Sequence, residues 1–200
     1  MPVISTTRRV AVAVVAAAVL TALVGCGGDG SGTGAEPGAA AEPAPRMTAD
    51  LRRRIPEIRV ATRRYRNVAA AMADGYVQSG GCALDPDAGG MGIRFVNAAL
   101  VEDGVIDAAR PESLVYHFGR GGLRLGALEY LAPDADQDAA TDDDRPNLYG
   151  VAFSGPVAGN EADARSHYQL HLWLFRDNPS GVLATFNPNV HCPRARGGAG

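Results

Sequence analysis

The chain has 200 residues, with 19 arginines, no lysine and 22 acidic residues, for a formal net charge of −3. That balance excludes the usual profile of a nucleic-acid binder, which is basic, and the missing lysine excludes Schiff-base chemistry on an amine side chain. The sequence has no Walker loop, dinucleotide fingerprint or nucleophile elbow, and no Ser/His/Asp order stands out, which lowers the case for an enzyme.

At the front, Arg8 and Arg9 precede an apolar run from Val10 to Val24. The run is about 15 residues, short of the roughly 20 that span a bilayer. A charged start, an apolar middle and small residues at the end predict a signal peptide over residues 1–25. The ending Leu23-Val24-Gly25-Cys26 resembles a bacterial lipobox, which implies cleavage before Cys26 and a diacylglycerol anchor on it. An uncleaved anchor and a cleaved signal without lipid are the alternatives. All three place the rest of the chain outside the cytoplasm, on the cell membrane in the lipid-anchored case. Cleavage removes two arginines and no acid, leaving 17 arginines against 22 acids and a net charge of −5. With Cys26 lipidated, Cys82 and Cys192 remain as a pair in an oxidising compartment, where a disulfide is the default. A reactive or metal-binding pair is the alternative.

Residues 26–47 hold the lipidated cysteine and a tether of small and polar residues that cannot repay the entropy of ordering. A single α+β domain is predicted over 48–193, and 194–200 reads as a disordered tail. Thr48 is placed to cap a short turn, and Pro56 to open a second helix at its first position. Ile58, Ala61, Tyr65, Val68 and Met72 recur at helical spacing, and Gly75 stands where a helix ends. After Gly75 the period becomes two. Strands are predicted at Met91–Asn97, Ser113–Phe118, Leu123–Leu131, Leu148–Phe153, His167–Phe175 and Val182–Phe186. Short connections favour antiparallel pairing. The expected fold is an N-terminal helix packed on a curved antiparallel sheet, or a barrel, of about six strands.

In the hairpin 113–131, a four-residue loop at 119–122 sets Phe118 opposite Leu123, Tyr116 opposite Leu125 and Leu114 opposite Ala127. One face then reads Leu114, Tyr116, Phe118, Leu123, Leu125, Ala127, Glu129, Leu131, with Glu129 its only charge. A carboxylate there needs an ion pair, a hydrogen bond or a proton. Strand 167–175 carries a core face of Tyr168, Leu170, Leu172 and Leu174 and a second face of His167, Gln169, His171, Trp173 and Phe175. That second face suits an internal polar cavity. Arg94, on the even face of the strand Met91–Asn97, completes a predicted ligand set of Arg94, Glu129, Gln169, His171 and Trp173. His117 is expected beside Arg124 and exposed, and His191 beside the disulfide.

Segments Gly90–Asn97, Pro111–Tyr116, Leu128–Tyr130, His167–Trp173 and Asn178–Cys192 are together similar to a family of exported bacterial proteins of unassigned function. The likeness spans residues 57–193. The family pattern has His at the position of Arg94, followed by Tyr, and Trp at the position of Phe186. The resemblance implies that a first-strand His, the glutamate and the later histidines gather in relatives, a set suited to zinc or copper. Here Arg94 cannot ligate and offers a fork for a carboxylate instead. Glu129, His167 and His171 remain the metal candidates, although His167 and His171 lie roughly 13 Å apart if they share a strand.

The run Asp134, Asp136, Asp138, Asp142, Asp143, Asp144 invites calcium, but Ala139 stands where an EF-hand needs glycine and Arg145 where it needs glutamate. It reads as a solvated acidic loop. Residues 46–66 hold eight arginines against Asp50 and Glu57. That face meets solvent, the acidic loop or anionic lipid. The sequence therefore predicts a membrane-tethered lipoprotein that binds a small, anionic ligand. A metal-dependent hydrolytic or redox enzyme and an envelope assembly protein are the alternatives.

Overall fold

The computed structural model describes residues 45–158 and 165–193. The predicted signal peptide, Cys26, most of the tether and the tail lie outside the described residues. Helix α1 covers Ala49–Thr62, and the Thr48 hydroxyl accepts the Leu51 N–H at 3.1 Å, as the capping rule requires. Pro56 does not open a second helix; it lies inside α1. Arg52, the residue that loses its N–H partner, and Pro56 itself both lie on the exposed side. Buried Leu51, Ile58 and Thr62 hold the helix together across the break. A 3-10 turn, Arg63–Arg66, leads to α2, Val68–Ala73. That turn rotates the predicted apolar stripe. Tyr65 and Ala71 face the core, whereas Ala61 is exposed and Met72 is 60% exposed. Gly75 (φ +92°) closes α2, with the Tyr76 N–H returning to the Ala71 carbonyl at 3.1 Å.

The remaining elements are β1 (Val77–Asp85), β2 (Gly89–Val96), α3 (Ala98–Asp103), β3 (Ser113–Gly119) and β4 (Gly122–Pro133). They are followed by β5 (Asn147–Leu148), β6 (Val151–Ala152), β7 (Ser154–Val157) and β8 (His167–Leu172). Six strands form one antiparallel sheet in the order β1-β2-β3-β4-β8-β7, curled into a half-barrel with the N-terminal helix packed on it. The α+β expectation holds; β1 and β7 are open edges, so the barrel is not closed. The predicted strand Leu148–Phe153 is instead the two-residue hairpin β5–β6. The predicted strand Val182–Phe186 is a chain of turns. Its carbonyls serve Trp173: Val182 accepts the Trp173 N–H at 2.8 Å and Ala184 the indole Nε1–H at 2.6 Å. No described helix is long and apolar enough to cross a membrane.

The face of the sheet toward the helices, here called inner, holds the main core. Leu114, Tyr116, Leu125, Leu128, Tyr130, Tyr168, Leu170 and Leu172 pack there against Leu51, Ile58 and Tyr65. Each buried tyrosine of this core has an acceptor: Tyr65 on Asp74 Oδ2, Tyr76 on Pro111 O, Tyr116 on Tyr65 O, Tyr130 on Ala108 O and Tyr168 on Asp144 Oδ1, at 2.6–3.0 Å.

The predicted hairpin register fails after Tyr116. Phe118 does pair with Leu123 and Tyr116 with Leu125, but Val115 pairs with Ala127, Leu114 with Leu128 and Ser113 with Glu129. Gly126 is the extra residue of a β-bulge. Because successive side chains alternate, one inserted residue moves everything beyond it to the opposite face. Glu129 therefore leaves the face of Leu114 and Leu125. It joins the outer face with Val115 and Ala127, and Arg94, which pairs with Val115, is on that face too. In the unbulged register the two charges would lie on opposite sides of the sheet. A second device acts in β2. Gly92 (φ +112°) leaves only 2.3 Å between a would-be Cβ and the Tyr116 carbonyl oxygen, so only glycine fits. The chain turns there, and Met91 enters the outer apolar cluster with Val115, Ala127, Trp173 and Val190 instead of joining Ile93 and Phe95.

The segment after β8 crosses this outer face. Phe175 N–H bonds Gly126 O at 3.0 Å, and Asn187 and Gly90 exchange backbone bonds of 3.0 and 3.2 Å. The Cys82–Cys192 disulfide fastens the end of the segment to edge strand β1.

Candidate functional site

The outer face builds its polar centre from four adjacent strands. Ser113, Glu129 and His171 stand in one cross-strand row, and Arg94 reaches the row from β2. Arg94 Nη1 and His171 Nε2 each lie 3.5 Å from Glu129 Oε1. The Glu129 side chain is 0% exposed, His171 1% and Arg94 12%. The separations are those of an ion pair, longer than a good hydrogen bond. Both Glu129 oxygens, His171 Nε2 and Ser113 Oγ are buried without a hydrogen-bond partner from the described residues. Buried polar atoms are paired in the great majority of cases, so four orphaned atoms in one row call for an explanation.

Burial pushes the His171 imidazole below its ordinary pKa, the Glu129 carboxylate pulls it back up, and Arg94 adds to the lowering. The neutral ring is the folded form at neutral pH. Its stabilising contribution is full above the unfolded value and is lost as pH falls through the folded one.

Arg94 also lines a cleft of about 290 Å³ with Ser79, Gly80, Gly81, Cys82, Ala83 and Gly92. Its wall is the irregular part of β1, where the pairing skips from Ser79–Arg94 to Cys82–Ile93 and Gly80 adopts φ +71°. Arg94 is thus both a lining residue of the cleft and the cation beside the buried Glu129 carboxyl group.

Of the predicted ligand set, Arg94, Glu129 and His171 converge, chiefly around one another. Gln169 shares their face, half-buried, in register with Leu131 and Ser154. Trp173 does not line the polar row. Its ring packs in the apolar cluster against the Gly126 bulge, and its N–H is spent on Ala184 O. The set does not fit zinc or copper. His167, paired with Pro133 at the far end of β8, does not join Glu129 and His171. No three His, Cys, Asp or Glu side chains among the described residues are grouped to hold a metal. The third place near Glu129 is taken by a guanidinium.

Two further expectations are corrected. His117 is buried, 8% exposed, with Nδ1 3.1 Å from Phe118 O. It is covered because Phe175 and its neighbours cross the bulge beside it. The acidic loop is not solvated throughout. Asp134 is 1% exposed with both oxygens unpartnered, and its carboxyl is shifted up by burial and by the neighbouring Asp136 and Asp144 charges. Ion pairs of the arginine-rich helix are local: Arg53 with Asp50, Arg54 with Glu57 and Arg64 with Asp74. None among the described residues reaches the acidic loop.

Sequence reasoning passed over Ser113, which only the bulged register places beside Glu129. It also passed over Glu112, fully buried just before β3, where the Leu131 N–H donates to Oε2 at 3.1 Å and Oε1 has no partner among the described residues. Burial raises Glu112 to about 8, so it folds as the neutral acid. The Gly80-Gly81 pair was the available signal for the cleft, since two glycines inside a strand mark a bulge or a close approach. Comparison with protein-family models, curated proteins and solved structures finds no match to this chain.

Proposed function

We propose that the folded part is a non-catalytic binding module for a small anionic ligand, held outside the cytoplasm by a lipid on Cys26. The ligand docks in the cleft lined by Arg94. The observation that carries this reading is the position of Arg94, between a cleft of about 290 Å³ and a carboxyl group with no other cation near it among the described residues. A guanidinium backed by Glu129 is held in one orientation and presents a planar fork, the geometry that carboxylates and phosphates match. Gly80 and Gly81 leave the wall open to a ligand that approaches the backbone. The lipid anchor is supported by the Leu23–Cys26 segment alone.

Titration calorimetry with acetate and succinate tests the pocket. The reading expects binding of at least one of them, weakened at least tenfold by Arg94→Met. Equal binding by wild type and variant would overturn it. Cell fractionation tests the anchor: Cys26→Ser is expected to move the protein from the membrane to the soluble fraction, and an unchanged distribution would refute lipidation.

A further inference from the structure

A second cavity, of about 300 Å³, lies away from the Arg94 cleft and is lined by Arg66, His117, Arg124, Leu125 and Phe175. Two parts of the chain bring cations to it. Arg66 ends the 3-10 turn after α1. Arg124 follows the β3–β4 turn, where its Nη2 donates to Arg120 O at 2.9 Å. Arg176 follows Phe175 just outside the lining, and the His117 imidazole is held low chiefly by burial, with the charges of Arg176 and Arg124 adding to it. Arg176 donates to Asn189 O, while its Nε is buried with no partner. A fourth guanidinium, Arg59, lies over the Phe175 ring at 5.9 Å from its centroid.

No carboxylate among the described residues pairs with Arg59, Arg66, Arg124 or Arg176, although most other described arginines of the domain have one. Like charges gathered on a rigid frame repel, and the repulsion is relieved when an anion enters. Guanidinium groups converging from different directions match an anion with several oxygens. Leu125 and Phe175 supply an apolar wall for whatever carries the charge.

We propose that this cavity is a phosphate-binding site, taking either a phosphorylated small molecule or the phosphate of a lipid headgroup. The site is independent of the Arg94 cleft. Arg66 and Arg124 are exposed, so truncating either leaves the core intact.

The test uses the full chain and two probes. Inorganic phosphate is titrated calorimetrically, and binding is measured to vesicles of phosphatidylglycerol and of phosphatidylcholine. The proposal expects Arg66→Ala and Arg124→Ala each to weaken phosphate binding at least tenfold. Arg110→Ala, at an exposed arginine paired with Asp107, leaves it unchanged. Phosphate binding alone assigns a soluble ligand. A preference for phosphatidylglycerol that the same two substitutions abolish assigns a headgroup. The proposal is overturned if neither probe binds, or if both variants bind like wild type.

Discussion

The two faces of the six-stranded sheet treat buried polar atoms differently. On the inner face, tyrosines sink whole rings into the core and each hydroxyl reaches an acceptor, and the unpartnered Glu112 Oε1 near Tyr76 and Tyr130 belongs to a carboxyl that burial keeps neutral. On the outer face, Ser113, Glu129 and His171 are just as deeply buried, and Ser113 Oγ, both Glu129 carboxyl oxygens and His171 Nε2 find no hydrogen bond within the described residues. An unmade bond on a buried group costs about 1–3 kcal/mol, more when the group is charged. The tyrosine core of the inner face is therefore what stability alone would select. The outer face spends stability on a charged group aimed at a cleft, which is the usual signature of a site.

This contrast can be broken in three ways. The largest effect is expected from the cover. The Cys82–Cys192 bond closes a loop with a sequence separation of 110. Replacing both cysteines by serine should cost up to about 4 kcal/mol in denaturant unfolding. The loss should fall on the outer face, as faster amide exchange in Val182–Val190 than in β3 and β4. Uniform exchange across the domain would show that the cover is no separate layer.

Next is the ion pair. Arg94→Met leaves the Glu129 carboxyl buried without its cation and should cost about 3 kcal/mol. Adding Glu129→Leu should return the stability to near the wild-type value or above it, since a buried pair replaced by apolar groups is seldom missed. A double variant as unstable as the single one would mean that the pair is structural.

The effect that is smallest per pH unit concerns Glu112. Its folded value is near 8 and its ordinary value 4.5, so between these the folded chain holds a proton that the unfolded chain has released. Stability should fall as pH rises through that window, by about 1 kcal/mol per unit. Glu112→Gln should flatten the slope. An unchanged slope would place the proton elsewhere.

Much of the architecture was legible in the residues, and the gaps have physical causes. The alternation of Tyr168, Leu170 and Leu172 against Gln169 and His171 marked the two faces of β8, because side chains along a strand alternate between an apolar and a polar side, although the strand stops at Leu172 and not at Phe175. Edge strands β1 and β7 were invisible. The first is interrupted by Gly80-Gly81 and exposes Val77 and Leu84, and the second contains Gly155-Pro156. The partnership of Arg94, Glu129 and His171 was read from residue type, but the register assumed for the hairpin would have kept Arg94 and Glu129 apart. Gly126 carries the correction. A glycine in a strand is a known bulge signal, yet its effect on the face of Glu129 appears only once the pairing partners are fixed. The arginine cavity was hidden for a different reason: its side chains come from positions 66, 117, 124, 125 and 175, which no local pattern connects.

The central claim is that the outer polar row exists to hold Arg94 for a ligand. Native mass spectrometry of wild type and of the folded Arg94→Met/Glu129→Leu variant tests it most directly. The account predicts a co-purified small molecule on the wild type that is missing from the double variant, at equal stability. The same bound mass on both proteins, or none on either, would contradict it.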